Sequence, residues 1–207
     1  MGLKHLLHFP KGYESSNEKK YPLVLFLHGA GERGNNLNIL KRHGIPRVIE
    51  ESEDFPFIAV SPQCPNSTNW NELRDKLNDL LNEVISNNKV DTNRIYLTGI
   101  SMGGFGTWNL AIHYPEKFAA IVPICGGGNP ALAYRIKDIP IWVFHGAKDN
   151  IVPLFYSEEM VNKLRDLNSN VKFTVYPEAE HDSWTQTYNN PLLYQWFLGQ
   201  SRANKKN

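Results

Sequence analysis

The chain of 207 residues is 41 % hydrophobic and 21 % charged, with 22 Lys and Arg against 21 Asp and Glu; this excludes disorder, collagen and coiled coil and leaves no electropositive footprint for nucleic acid. A domain of this length buries roughly 70 % of its unfolded surface, so a full core is available without metals, and two cysteines, Cys64 and Cys125, make no disulfide framework. The stretch before Pro10 lacks the apolar core of a signal peptide and no run approaches the roughly 20 apolar residues of a membrane span, so a cytoplasmic protein with no membrane partner is expected.

In chain order, Lys4–Phe9 reads as an antiparallel edge strand, and Leu23–Leu27 and Phe57–Val60 as strands apolar on both faces. Leu73, Leu77, Leu80, Leu81, Val84 and Ile85 then form a helical stripe in a polar segment. Strand Ile95–Leu97 precedes a helix that follows Ser101 and stops before Pro115, and strands Ala119–Val122 and Ile141–Phe144 come next. Met160, Val161, Leu164 and Leu167 mark a helix for which Ser157 is the expected N-cap. A last strand spans Val171–Tyr176, a last helix runs from Pro191 to Leu198, and Ala203–Asn207 reads as a frayed tail. Alternating strand and helix predict one α/β domain over residues 1–207, with a mostly parallel sheet and helices on both faces, a core at about 21–198 and a polar tail at 200–207.

Chemistry in such folds sits on the loops where parallel strands end. The loop after Ile95–Leu97 reads Gly99-Ile-Ser101-Met-Gly103, a G-x-S-x-G between strand and helix. Only glycines beside the serine let the strand and helix backbones pass so closely, and the turn lifts Oγ above the sheet at a helix N-terminus. A serine at its ordinary pKa needs a base, and the base needs an orienting group. Of seven histidines, His181 lies in the loop after the last strand, whereas His145, next to Gly146, reads as a packed or turn residue. Asp149 lies in the loop before that strand, Asp138 falls at the wrong edge of the sheet, and Asp182 is too near His181 in sequence to turn back on its ring. The order Ser101, Asp149, His181 is that of one serine-triad fold and not of the others. Two backbone donors are expected at the oxyanion: the N–H of Met102, and that of Ala30, with Gly31 as the neighbouring choice, in His28-Gly-Ala-Gly31.

The stretches LFLHGAGERGNN, VDTNRIYLTGISMGGFGTWNLAIHYPEKFAAIVPICGGG, HGAKDNIVP and EAEHDSW resemble the α/β-hydrolase superfamily. More narrowly, they are similar to its phospholipase/carboxylesterase-like and feruloyl-esterase-like branch, which is related to dienelactone hydrolases. The resemblance spans about Tyr21 to Phe197 and implies Ser101 as nucleophile, Asp149 as acid and His181 as base. Dienelactone hydrolases use a cysteine nucleophile, so Ser101 departs from them. The segment Gly127–Pro140 is too short for a lid domain. In the family's strand order two strands separate those that Cys64 and Cys125 follow, about 14 Å at about 4.8 Å per strand, beyond disulfide reach.

The reading is a lidless serine carboxylesterase for short-acyl or aryl esters, with Trp70 and Trp184 on the site loops as candidate pocket walls. Its rivals are a serine peptidase of the prolyl-oligopeptidase type and a non-catalytic binding protein of the same fold. No metal-ligand spacing and no nucleotide-binding glycine motif is present, so a small-molecule ester is the expected partner and no cofactor is expected.

Overall fold

The computed structural model describes residues 2–15, 18–52 and 54–204. Its strands are β1 (His5–His8), β2 (Tyr21–Leu27), β3 (Ile58–Pro62), β4 (Val90–Ile100), β5 (Ala120–Ile124), β6 (Ile141–Gly146) and β7 (Val171–Tyr176). They form one sheet in the order β1-β3-β2-β4-β5-β6-β7. β1 pairs antiparallel with β3, His5 opposite Pro62, and every other pairing is parallel.

The helices are α1 (Gly44–Glu51), α2 (Arg74–Asn87), α3 (Met102–His113), α4 (Phe155–Asp166), α5 (Trp184–Tyr188) and α6 (Pro191–Leu198). They cover both faces of the sheet, which is why the central strands β2, β3 and β5 are buried along their whole length. Leu23, Leu25 and Leu27 of β2 pack with Leu77 of α2, Trp108 of α3 and Met160 of α4. The alternate residues Val24 and Phe26 pack with Ile45 of α1, Tyr188 of α5 and Phe197 of α6. β2 thus feeds two cores with a period of two.

Three differences from the sequence reading have physical causes. α1 arises in a stretch read as loop; it starts at Gly44, whose φ of 65° no side chain tolerates well and where an added Cβ would lie 2.2 Å from the Phe26 ring. α4 begins two residues earlier than its supposed cap: Leu154 is the N-cap, and Ser157 lies inside the first turn, fully buried. The chain after α6 is tied down through residue 204, by the Tyr96 hydroxyl donating to the Gln200 carbonyl at 2.9 Å and by an Arg202 guanidinium bond to the Glu116 carbonyl. The remainder of the expected frayed tail, 205–207, lies outside the described residues. Between β5 and β6 stands only a short 3-10 helix, Pro130–Ile136. Among the described residues no helix is long and apolar enough to cross a membrane.

Candidate active site

β4 ends at Ile100 and α3 begins at Met102, so a single residue, Ser101, turns the chain from strand to helix. It does so at φ 52° and ψ −116°, a conformation that costs a residue with a Cβ about 1–3 kcal/mol and persists only where the surroundings enforce it. The enforcement comes from absent side chains. A Cβ on Gly103 would sit 1.9 Å from the Leu27 carbonyl oxygen, and one on Gly99 2.3 Å from the Gly103 carbonyl oxygen. The Ser101 amide donates to the Ile124 carbonyl at 3.0 Å, and its own carbonyl accepts from the Phe105 amide at 3.0 Å, which starts α3.

The loops after β6 and β7 bring the other two residues to it. His181 Nε2 lies 2.9 Å from Ser101 Oγ, and His181 Nδ1 lies 2.7 Å from Asp149 Oδ2. An ionised carboxylate only accepts, so Nδ1 carries the proton and donates, leaving the Nε2 lone pair facing the serine hydroxyl. Asp149 Oδ1 accepts from the amides of Ile151 and Val152, each at 2.9 Å. Burial alone would raise the Asp149 pKa; the His181 bond and these two amides outweigh it and hold the carboxyl below its usual range. Asp182 is turned away as expected, accepting from the Thr185 amide and hydroxyl at 2.9 Å each.

The loop after β2 stands beside the serine turn. Ala30 opens a short 3-10 helix, Ala30–Glu32, as Met102 opens α3, and first-turn N–H groups have no partner within their own helix. The loop hangs on His28, whose Nδ1 donates to the Gly29 carbonyl at 2.5 Å and whose Nε2 accepts the Cys64 amide at 3.0 Å. One ring nitrogen donating and the other accepting defines a neutral imidazole. Burial, partly offset by the Gly29 bond and helped by Arg33, brings its pKa down to about 4. The approach of Glu32 to within 3.9 Å of His28 Nδ1 is therefore not an ion pair.

A model of the phospholipase/carboxylesterase family matches residues 53–190, two thirds of the chain. The chain belongs to this family of α/β hydrolases. A bifunctional acetylxylan esterase/xylanase of Neocallimastix patriciarum is 29 % identical over 185 residues, which are 84 % of this chain and 26 % of that protein. The "Probable feruloyl esterase C" of Aspergillus terreus is 28 % identical over 176 residues, 78 % of this chain and 60 % of that one. The chain thus spans about a quarter of the first and three fifths of the second. The crystal structure of a thermostable esterase superposes with a TM-score of 0.83 at 36 % identity, covering 96 % of this chain and 59 % of that chain.

In this member of the phospholipase/carboxylesterase family the two tryptophans differ. Trp184 stands edge-on to the His181 ring, at 5.2 Å and 89°, and also meets His43 at 5.7 Å. Trp70, read from sequence as a pocket wall, is only 1 % exposed. Its indole N–H donates to the His28 carbonyl at 2.9 Å and its ring packs on the His28 imidazole. It props the loop, because the carbonyl of a buried strand end needs a donor. It also borders a cavity of about 310 Å³ beside the serine turn, together with Met102, Phe105, Asn69 and Asn71. It adjoins another of about 300 Å³ that shares Phe105 and Asn71 and reaches Asn109 and Leu132. Phe105 meets Tyr156 edge-on at 5.7 Å. The larger hollows, of about 720 and 790 Å³, are bordered by Lys4 and Glu83 and by Lys172 and Trp196 respectively, and are lined by none of Ser101, Asp149 and His181.

Sequence reasoning missed what stands behind Asp149. His145, read as a packing residue, is fully buried with Nε2 3.2 Å from Asp149 Oδ2. Its spacing of four from Asp149 was visible, but on a strand-to-loop bend such spacing predicts no contact. Among the described residues, Cys125, Asp149 and His181 are the one grouping whose ligand atoms come within 4.8 Å of one another. Two of them are spent on the triad bond, and burial pushes the Cys125 thiol up to about 12, which makes it a poor metal ligand.

Proposed function

We propose that this chain is a carboxylesterase that cleaves short-acyl or aryl carboxylic esters through an acyl-serine intermediate. The observation that carries the reading is the unbroken line Asp149 Oδ2, His181, Ser101 Oγ, with links of 2.7 and 2.9 Å and a single consistent tautomer.

In this mechanism Ser101 Oγ attacks the ester carbonyl carbon while His181 Nε2 takes the hydroxyl proton. Asp149 holds the ring and stabilises the imidazolium that forms. The Ala30 and Met102 amides hold the oxyanion of the tetrahedral intermediate, aided by the N-terminal dipole of α3. Collapse breaks the bond to the alcohol oxygen, which receives the proton from His181. Water, deprotonated by the same nitrogen, then releases the acid and restores the serine. All groups are the chain's own, so a chelator should leave the rate unchanged.

Two features support small or flat acyl groups. The short Pro130–Ile136 turn offers no apolar lid, and a long acyl chain needs about 0.8 kcal/mol of burial per methylene to be held. Trp184 on one histidine and the Phe105–Tyr156 pair one turn along α3 supply aromatic surface suited to a planar acyl or alcohol group. Acetyl and feruloyl esters, the substrate chemistry in the names of the two relatives above, fall in this class.

The test is hydrolysis of nitrophenyl esters of graded chain length together with labelling by a serine-reactive phosphonate. The expected result is one adduct on the peptide carrying Ser101 and a profile that peaks at about two to four carbons. An adduct on a different serine, or full activity in Ser101→Ala, overturns the reading.

A further inference from the structure

Behind Asp149 a second imidazole completes a chain of hydrogen bonds that the triad chemistry does not use. His145, at the end of β6, is fully buried. Its Nε2 lies 2.8 Å from the Val152 carbonyl and 3.2 Å from Asp149 Oδ2, the oxygen that also accepts from His181. Its Nδ1 lies 2.8 Å from Ser157 Oγ, and Ser157 Oγ lies 3.1 Å from the Gly126 carbonyl.

Counting protons assigns the ring. Val152 O and Asp149 Oδ2 both accept, so a neutral ring must carry its proton on Nε2; a bare Nε2 would face two oxygens. Nδ1 is then an acceptor, and the donor facing it is the Ser157 hydroxyl. Gly126 O does not lose its partner by this choice, since the Trp108 indole donates to it at 3.3 Å. Every group is satisfied in one arrangement, with Ser157 selecting the tautomer. The titratable groups bearing on the ring are Asp149 and His181, the first favouring its charged form and the second opposing it, and burial outweighs both and lowers the pKa. The ring is thus a neutral donor, not a partner in an ion pair.

We propose that His145 is a positioning residue for the esterase reaction: held by Ser157, it clamps the Val152 carbonyl and Asp149 Oδ2 and so fixes the direction and the strength with which Asp149 grips His181. This rests on the triad reading above. Two consequences follow from the geometry. Without His145 the carboxylate is free to turn about its Oδ1 anchor, and a misplacement of about 1 Å in a catalytic constellation costs on the order of 10²-fold. And Oδ2, relieved of a competing donor, accepts more strongly from His181 and stabilises the imidazolium, so the acid limb of the rate profile must move up.

The experiment compares His145→Leu, His145→Gln and Ser157→Ala with the parent chain on a nitrophenyl ester, with phosphonate labelling of Ser101 as a control. His145→Leu should lower kcat about 10²-fold, change KM little and shift the acid limb to higher pH. His145→Gln, whose amide N–H can reach the place of Nε2–H, should recover most of both. Ser157→Ala removes one hydroxyl from a buried helix turn and keeps the fold. It frees the ring to take the wrong tautomer, and should lose about tenfold in kcat, of the size seen on removing outer partners of site histidines, with the limb displaced the same way. An unmoved limb in Ser157→Ala and in whichever histidine variants fold, with only melting temperature reduced, overturns the proposal and makes His145 a packing residue. Absence of the Ser101 adduct in the parent chain would instead sink the triad reading itself.

Discussion

The turn after β4 and the loop after β2 follow neighbouring parallel strands, yet they are built by opposite means. The first is enforced by what is missing. Gly99 and Gly103 leave no room for a Cβ, and Ser101 is trapped at φ 52° between the Ile124 carbonyl and the first turn of α3. The second is enforced by what reaches in from elsewhere. The Cys64 amide and the Trp70 indole, 36 and 42 residues along the chain, hold the ring and the carbonyl of His28. A steric turn tolerates no added atom, and a hydrogen-bonded loop tolerates no lost donor. Each therefore has its own way of failing.

The largest expected effect removes the orienting acid that serves the steric turn. Asp149→Asn should keep the fold but leave His181 in the wrong tautomer, with a loss on the order of 10³–10⁴ in kcat, the scale of that change in serine triads. A loss below tenfold on a nitrophenyl ester would show that Asp149 does not set the tautomer. Next comes the steric turn itself. Gly103→Ala places a methyl 1.9 Å from a backbone oxygen of β2, which no side-chain rearrangement relieves. It should cost about 3 kcal/mol or more of stability, at the upper end of overpacking, read as a lower urea midpoint. A midpoint unchanged from the parent would mean that β2 and α3 are not in contact there.

This contrast also governs what could be read from the sequence. A steric constraint leaves its mark locally, as glycines at fixed offsets from a serine, so the turn at Ser101 and the flanking strand and helix were legible. The central strands were legible because burial on two faces gives them continuous apolar runs, as in Leu23–Leu27 of β2, and α6 was found at Pro191–Leu198 because Pro191 marks its first turn. The carboxylate and base followed from loop order. Long-range hydrogen bonds leave no such mark. Nothing near Trp70 announces that its N–H is owed to His28, so this tie was not legible. Ser157 has the composition of a cap, and its true partner, His145, is known only once β6 and α4 are packed. The short helices α1 and α5, of eight and five residues, offer too few turns for a period to show.

A third prediction concerns the charge state on which the β2 loop depends. His28 accepts the Cys64 amide only while neutral, and its folded pKa of about 4 lies below the unfolded value of about 6.5. As pH falls the unfolded chain takes up the proton first, so stability is complete above about 6.5 and is lost progressively down to about 4, by about 3 kcal/mol at 1.36 kcal/mol per unit. His145 and His8, also lowered mainly by burial, add to the same slope. Asp149, held low, acts in a separate window, losing its contribution only as pH falls below about 3.9. Urea midpoints between pH 7 and pH 4 should fall steadily, and His28→Gln should be less stable at pH 7 with a shallower slope. A parent curve that is flat to pH 4 would mean that His28 is protonated in the fold.

The smallest effect is the most selective. Trp70→Phe keeps a ring against His28 and removes one donor, leaving the His28 carbonyl unsatisfied in a buried place, at a cost of about 1–3 kcal/mol. If the role of Trp70 is to hold the loop that carries the Ala30 amide, the damage falls on the transition state: kcat should drop, by less than the 10²–10³-fold seen when an oxyanion donor is removed outright, while KM for a small acetyl ester stays near the parent value. If Trp70 were instead a wall for the acyl group, the same substitution would raise KM for aryl esters and leave acetyl esters untouched. Steady-state constants for one acetyl and one aryl ester separate the two, and the buried, hydrogen-bonded indole predicts the first.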